Sequence, residues 1–290
     1  MSTVVNDDYP GGKLSDEEIK QKFLNESTNT GTPESFTKGT STNVPTEVIE
    51  LPSRGYYYPE GHPLSGGKIE MKYMTAKEED ILASQNLIKQ GVVIDRLLQS
   101  LIVTKINYND LLTVDKNAIF IAARILAYGE DYQVNINCPS CGEKCEHTVD
   151  LQSFEEKEID WNLLKDGDLK FILPASKAEV TFKMLTHGDE KKIEEASKTN
   201  KKRSKTTGID RDLSTRLKYL ITAVNGDDER STINTFVDNM LSRDSLALRK
   251  HLKQISPDID TTFYYECNSC GHEVADMQLP IDVGFFWPGV

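Results

Sequence analysis

A segment that recurs with its cysteines in register constrains this chain more than any other feature. Residues 111–142 (LLTVDKNAIFIAARILAYGEDYQVNINCPSCG) lie over residues 240–271 (MLSRDSLALRKHLKQISPDIDTTFYYECNSCG) without a gap. The overlay sets Cys138 on Cys267, Cys141 on Cys270 and Gly142 on Gly271. The chain therefore reads as internally duplicated. Each copy supplies two thiols, and tetrahedral zinc takes four ligands. The expectation is one structural Zn2+ held by Cys138, Cys141, Cys267 and Cys270 and shared between two half-domains.

In Cys138-Pro-Ser-Cys141-Gly and Cys267-Asn-Ser-Cys270-Gly, two intervening residues let both sulfurs face one point. The glycine that follows lets backbone N–H groups turn toward sulfur. Alternating strands are expected before each knuckle (residues 132–137 and 261–266) and after it (146–151 and 273–279), the hairpin of a zinc-ribbon half. Cys267 follows Cys141 by 126 positions, far beyond the roughly 15–20 residues common in a single ribbon. Duplication accounts for the gap, because two equivalent knuckles can face one another across a pseudo-twofold axis. A redox pair needs a helix starting at its first cysteine, and a catalytic zinc keeps an open position beside a general base. Strand-like flanks and four available thiols rank both below a closed structural site. Cys145, His147 and His272 lie near enough in sequence to replace a ligand, with an incidental place beside the knuckles the plainer expectation. The bland alternative is a pair of knuckles that have lost their metal.

Three segments follow from patterning. Residues 1–45, rich in Ser, Thr, Asn, Gly and acids, bury too little apolar surface to offset their ordering entropy. They read as a disordered or partner-ordered arm, with a short helix over 15–25 opened by a Ser15/Glu18 capping box, or as a plain solubilising tail. Residues 46–152 form the first repeat. It holds strands near 47 and over 68–74, a helix from Thr75 (boxed by Glu78) to about 88, a helical pattern over 92–104 and a helix over 115–128 before the first knuckle. Residues 153–290 form the second repeat. Its expected strands are 170–173 and 179–185, with Thr186 in the place of Thr75 before a helix over 189–196. Residues 211–224 stand for 92–104, and 242–254 for the third helix. IEMKYMTAKEED over VTFKMLTHGDEK carries this echo, and the extra length of the second copy is assigned to a loop around 198–208. The fold class is thus α+β, two half-domains of strands, about three helices and a zinc hairpin each.

Composition narrows function. With 46 acidic against 34 basic residues and a pI near 5.0, the field repels phosphate backbones and anionic lipid. Nucleic acid, membrane and a small-molecule substrate are not expected; protein partners are. No apolar run approaches a bilayer span, and the N-terminus lacks signal-peptide blocks, which points to synthesis in a cytoplasm. In a reducing compartment, cysteines in C-x-x-C pairs read as metal sites rather than disulfides. No Ser-His-Asp order, phosphate loop, dinucleotide fingerprint or His-x-Glu pair stands out, so no enzyme is expected. The acidic clusters Glu78/Glu79/Asp80 and Asp189/Glu190 read as helix first turns, and the basic run 198–205 as a solvated tip or an acidic partner's docking site. Tyr56-Tyr57-Tyr58-Pro59 is expected to pack on the body. Phe285-Phe286-Trp287-Pro288 either packs there or anchors a neighbour.

These residues also carry a family resemblance. Leu51-Pro52-Ser53-Arg54-Gly55 with Tyr58-Pro59, then Ile69-Glu70-Met71 and Met74-Thr75 before Glu78-Glu79, resemble the opening of the T4-type bacteriophage baseplate hub and hub assembly family. Cys138-Pro-Ser-Cys141-Gly leading to Val149-Asp150-Leu151, and the terminal Phe286-Trp287-Pro288, resemble its long members. The resemblance spans residues 47–290. It implies a contractile-tail phage protein made in host cytoplasm and placed in the virion tail baseplate, with other baseplate and hub proteins as partners. A zinc-stabilised adaptor is the leading expectation. A transient hub assembly chaperone absent from the virion is the alternative, and a thiol or metal-dependent enzyme a third.

Overall fold

Strand β1 (Thr46–Glu50) pairs antiparallel with β2 (Lys68–Lys72), Val48 opposite Glu70, in a computed structural model that describes residues 44–161, 169–204, 211–281 and 283–286. The arm through residue 43, with its expected helix over 15–25, and the terminal Trp287-Pro288 lie outside the described residues. The loop joining β1 to β2 folds tightly on itself. At Gly55, with φ +78°, a Cβ would stand 2.2 Å from the Ser65 carbonyl oxygen, so only glycine fits where the two legs of the loop cross.

After β2 come α1 (Ala76–Ala83), α2 (Gln85–Gln90) and α3 (Val93–Leu101), then 3₁₀ turns at Tyr108–Asp110 and Thr113–Asp115 and helix α4 (Lys116–Tyr128). Helix α3 buries Val93, Leu97, Leu98 and Leu101, one face of a 3.6-residue period. Strands β3 (Asp131–Asn137) and β4 (Lys144–Asp150) form an unbroken hairpin from Asp131↔Asp150 to Asn137↔Lys144. The second half continues with β5 (Lys170–Ile172), β6 (Glu179–Phe182), α5 (His187–Ser204), α6 (Asp212–Leu220) and β7 (Ile221–Val224). It closes with α7 (Arg230–Asp238), α8 (Ser242–Ile255), β8 (Thr262–Glu266), β9 (Glu273–Gln278) and a 3₁₀ turn at Val283–Phe286. β5, β6 and β7 form one antiparallel sheet, and β8 pairs with β9. The architecture is mixed α+β, with small sheets and eight helices among the described residues.

The two halves repeat particular hydrogen bonds. The Leu51 amide donates to Gly67 and the Leu173 amide to Ala178, both over 2.9 Å. The Ser53 amide reaches Asp115 Oδ1 at 2.9 Å, and the Ala175 amide reaches Asp244 Oδ1 at 2.7 Å. Lys72 pairs with Glu78 at 2.7 Å and Lys183 with Asp189 at 2.6 Å. The Glu78 carboxylate accepts from the amide and hydroxyl of Thr75, and that of Asp189 from the amide and hydroxyl of Thr186. Met71 bridges to Ile102, as Phe182 does to Ile221.

The expected elements differ from the observed ones at four points. The helix from Thr75 to about 88 breaks at Ser84, whose ψ of 102° is extended, and so forms α1 and α2. The helix expected over 189–196 runs from His187 to Ser204, into the stretch assigned to a loop, because no Gly or Pro stops it and Glu194 pairs with Lys198 one turn on at 2.6 Å. Residues 211–224 do not stay helical: β-branched Ile221-Thr222 turn into β7, held by β6. Part of the extra length is not loop at all but α7, which buries Ile233 and Val237 at i, i+4 spacing.

One continuous apolar core draws on both halves, from Leu51 and Leu97 to Leu248 and Tyr265, each such side chain worth about 1.5–3 kcal/mol when fully buried. Tyr58 is buried and Tyr57 partly so, its hydroxyl donating to the Ile255 carbonyl at 2.9 Å. Phe285 and Phe286 are fully buried. They meet Tyr132 at 5.0 Å and Phe120 at 6.1 Å between ring centroids, so this part of the terminal cluster packs on the first half.

Candidate metal centre

The turn from β3 to β4 and the turn from β8 to β9 have the same backbone wiring. The Cys138 amide donates to Glu143 over 2.8 Å and the Gly142 amide returns to Cys138 over 2.9 Å; the Cys267 amide donates to His272 over 2.9 Å and the Gly271 amide returns to Cys267 over 2.8 Å. Gly142 and Gly271 take φ of 74° and 68°, the left-handed conformation that glycine enters without strain. Strands, not helices, follow both cysteine pairs, which removes the helix dipole that a redox C-x-x-C exploits.

The two turns meet. Cys138 Sγ lies 3.8 Å from Cys270 Sγ and Cys141 Sγ 3.7 Å from Cys267 Sγ, and all four sulfurs fall within 4.8 Å of one another. A tetrahedron with Zn–S bonds of about 2.3 Å puts its sulfurs roughly 3.8 Å apart, whereas a disulfide brings them to about 2.05 Å. The donor set and spacing fit a four-thiolate zinc, which Cys138, Cys141, Cys267 and Cys270 would hold. Cys138 and Cys267 are buried; Cys141 and Cys270 face outward. The Ser269 amide, then that of Cys270, stabilise the Cys267 thiolate and hold its pKa down to about 5. The Cys141 amide and then that of Ser140 lower Cys138. At Cys138 and Cys267 backbone donors thus favour the charged form a metal needs, whereas Cys141 and Cys270, despite bonds from the Glu143 and His272 backbone, are pushed up by neighbouring thiols and burial.

Cys145, on β4 opposite Ile136, is buried with its sulfur 3.6 Å from Cys267 Sγ, yet lies outside the four-sulfur cluster. His147 stacks on Phe263 at 5.5 Å between centroids. His272 contributes its carbonyl to the knuckle turn.

Sequence reasoning missed a polar cluster between the halves. His187 Nε2 lies 3.2 Å from Asp95 Oδ2, and its Nδ1 3.1 Å from Lys116 Nζ. Its ring lies 4.5 Å from that of Tyr108, whose hydroxyl donates to Asp95 at 3.2 Å. Burial pushes the Lys116 amine down, against the pull of Asp95. Isolated polar residues spread over four elements leave no pattern in a sequence. Asp115 was findable, since the gapless overlay puts it on Asp244 and both are buried.

The fold and the cluster define a mixed α+β protein whose two cysteine knuckles converge on one four-sulfur centre. The chain belongs to the family described as T4 bacteriophage base plate protein, which matches it over residues 56–287. No curated protein and no solved structure matches the chain. Among the described residues no helix is long and apolar enough to cross a membrane.

Proposed function

We propose that this chain is a structural component of a contractile-tail phage base plate, a zinc-clasped adaptor built from two duplicated repeats. Family membership supports the base plate role. The clasp rests on one observation above all: four sulfurs, two from each knuckle, lie within 4.8 Å of one another. Residues 46–152 and 153–290 are the two repeats, and the recurring Lys72–Glu78 and Lys183–Asp189 pairs and the Asp115 and Asp244 hydrogen bonds support that division. Zinc bound at this point ties the repeats into one rigid body, replacing core that each lacks. The work is recognition of other base plate and hub proteins in the virion tail rather than turnover, and the arm over residues 1–45 supplies a grip for them. Elemental analysis of the purified chain tests the clasp: one zinc per chain is expected, while two or none sinks it. Stoichiometric presence of the chain in purified virions is expected on the structural reading; its absence there would favour a transient assembly chaperone.

A further inference from the structure

The corner where the second half turns from strand into helix α5 is docked in a groove of the first half. The Leu185 carbonyl accepts from the amide and hydroxyl of Thr113, both at 2.9 Å, and the His187 amide donates to Leu111 over 2.7 Å. The His187 side chain fills the space among Asp95, Tyr108 and Lys116. Gly188 runs so close to the next turn that a Cβ there would stand 3.1 Å from Asn109 Cβ. The groove between α3, the Tyr108–Asp110 turn and the start of α4 is thus a receptor for residues 185–188.

The matching groove of the second half, between α6, α7 and α8, is open, with a volume of about 260 Å3. Leu217, Met240, Ser242 and Ser245 line it, at the positions that match Leu98, Leu111, Thr113 and Lys116 in sequence. The buried Ser245 hydroxyl has no hydrogen-bond partner among the described residues. Leu213 and Leu241 are 48% and 54% exposed beside it. The segment of the first half that matches residues 185–188 is 74–77. Ala76 and Lys77 are exposed, and among the described residues nothing corresponds to the Thr113–Leu185 and His187–Leu111 bonds for this corner.

We propose that this open groove receives the corner at residues 74–77 of a second copy of this chain. The filled groove is the template, and both sides of the open contact have changed together. Where His187 meets Asp95, Tyr108 and Lys116, the matching positions are Ala76 against Ser214, Val237 and Ser245. A small uncharged side chain faces Ser214, Val237 and Ser245, with Arg249 also in the lining. Lys77 takes the place of Gly188, so its Cβ needs the 3.1 Å approach of the template to relax by a few tenths of an ångström, and it brings a cation toward Asp238, a half-exposed carboxylate that Lys218 holds at 2.7 Å. The contact is heterologous: each copy offers one groove and one corner, so copies add head to tail and close a ring or extend a chain. The inference rests on the duplicated-repeat reading, because that reading pairs the two grooves.

Sedimentation velocity on the full zinc-loaded chain, from low to high micromolar concentration, tests this. Wild type is expected to self-associate. Leu213→Asp, in the groove lining, and Ala76→Arg, on the exposed corner, should each abolish association while keeping their zinc and secondary structure. An equimolar mixture of the two variants should give a one-to-one dimer and nothing larger, since it pairs the one intact groove with the one intact corner. A wild type that stays monomeric, association that survives either variant, or a mixture that stays monomeric overturns the docking. Zinc content read on the same samples separates that failure from failure of the clasp.

Discussion

Ser53 gives both its backbone amide and its hydroxyl to the Asp115 carboxylate, at 2.9 and 2.8 Å, across 62 positions of sequence. Tyr58 adds its own hydroxyl at 2.9 Å. The carboxylate is fully buried, and burial pushes its pKa up even as the Ser53 and Tyr58 bonds pull it down. It is the post to which the loop between β1 and β2 is tied. Asp115→Ala would strand three buried donors, each worth about 1–3 kcal/mol when left unpaired. A loss of about 3 kcal/mol or more is expected by urea unfolding. Asp115→Asn should recover much of it, because both hydroxyls can turn to accept from the amide NH2. Equal losses for the two variants would show that the loop does not depend on this acceptor.

The thiol cluster should behave as a unit. Cys138→Ser and Cys270→Ser each remove one ligand from a four-sulfur set whose members lie within 4.8 Å. Each is expected to abolish tight zinc binding and to lower the melting temperature by the same amount as a chelator does on wild type. The double variant should be no less stable than either single one, since interacting positions are not additive. Additive losses would mean the knuckles act independently.

Acid should weaken the corner at Glu78. Burial raises the pKa of this carboxyl, but bonds from Lys72, Thr75 and Ser100 outweigh it and hold the value to about 2, against an ordinary 4.5. A carboxyl depressed on folding contributes stability that is fully present above its unfolded value and is lost as pH falls through its folded value. The contribution should therefore fade between about 4.5 and 2. Urea midpoints for wild type and Glu78→Gln, followed from neutral pH downward, are expected to converge across that window; a constant gap would contradict the assignment.

Phe286 is fully buried against Phe120, so Phe286→Ala should cost about 3–5 kcal/mol. Thermal unfolding reads this directly, and a change below about 1 kcal/mol would mark the terminal turn as dispensable to the fold.

The knuckle turns and their strands were legible because Cys-x-x-Cys-Gly imposes a local geometry that leaves little choice, and nearly every strand and helix announced itself by period. The overlay of 111–142 on 240–271 also made the convergence of Cys138, Cys141, Cys267 and Cys270 an expectation before any distance was known. Helix α7 and the helical start of the 198–208 stretch were not legible. Their residues are mostly polar, and in α7 only Ile233 and Val237 are buried, with Phe236 partly so, too faint a period to separate from loop. The cluster around His187 was hidden for a different reason. His187 joins Asp95, Tyr108 and Lys116 only through docking of one half on the other, which no local pattern records.

The four-sulfur site takes one pair of ligands from Cys138 and Cys141 and the other from Cys267 and Cys270. A growing chain that has not yet been translated to Cys267 therefore owns at most half a coordination shell from these knuckles, however well its first repeat has folded. On the proposed clasp, metal retention would be a readout of completed synthesis: a prematurely terminated product would lack the clasp, while only a chain finished through its second knuckle could close it.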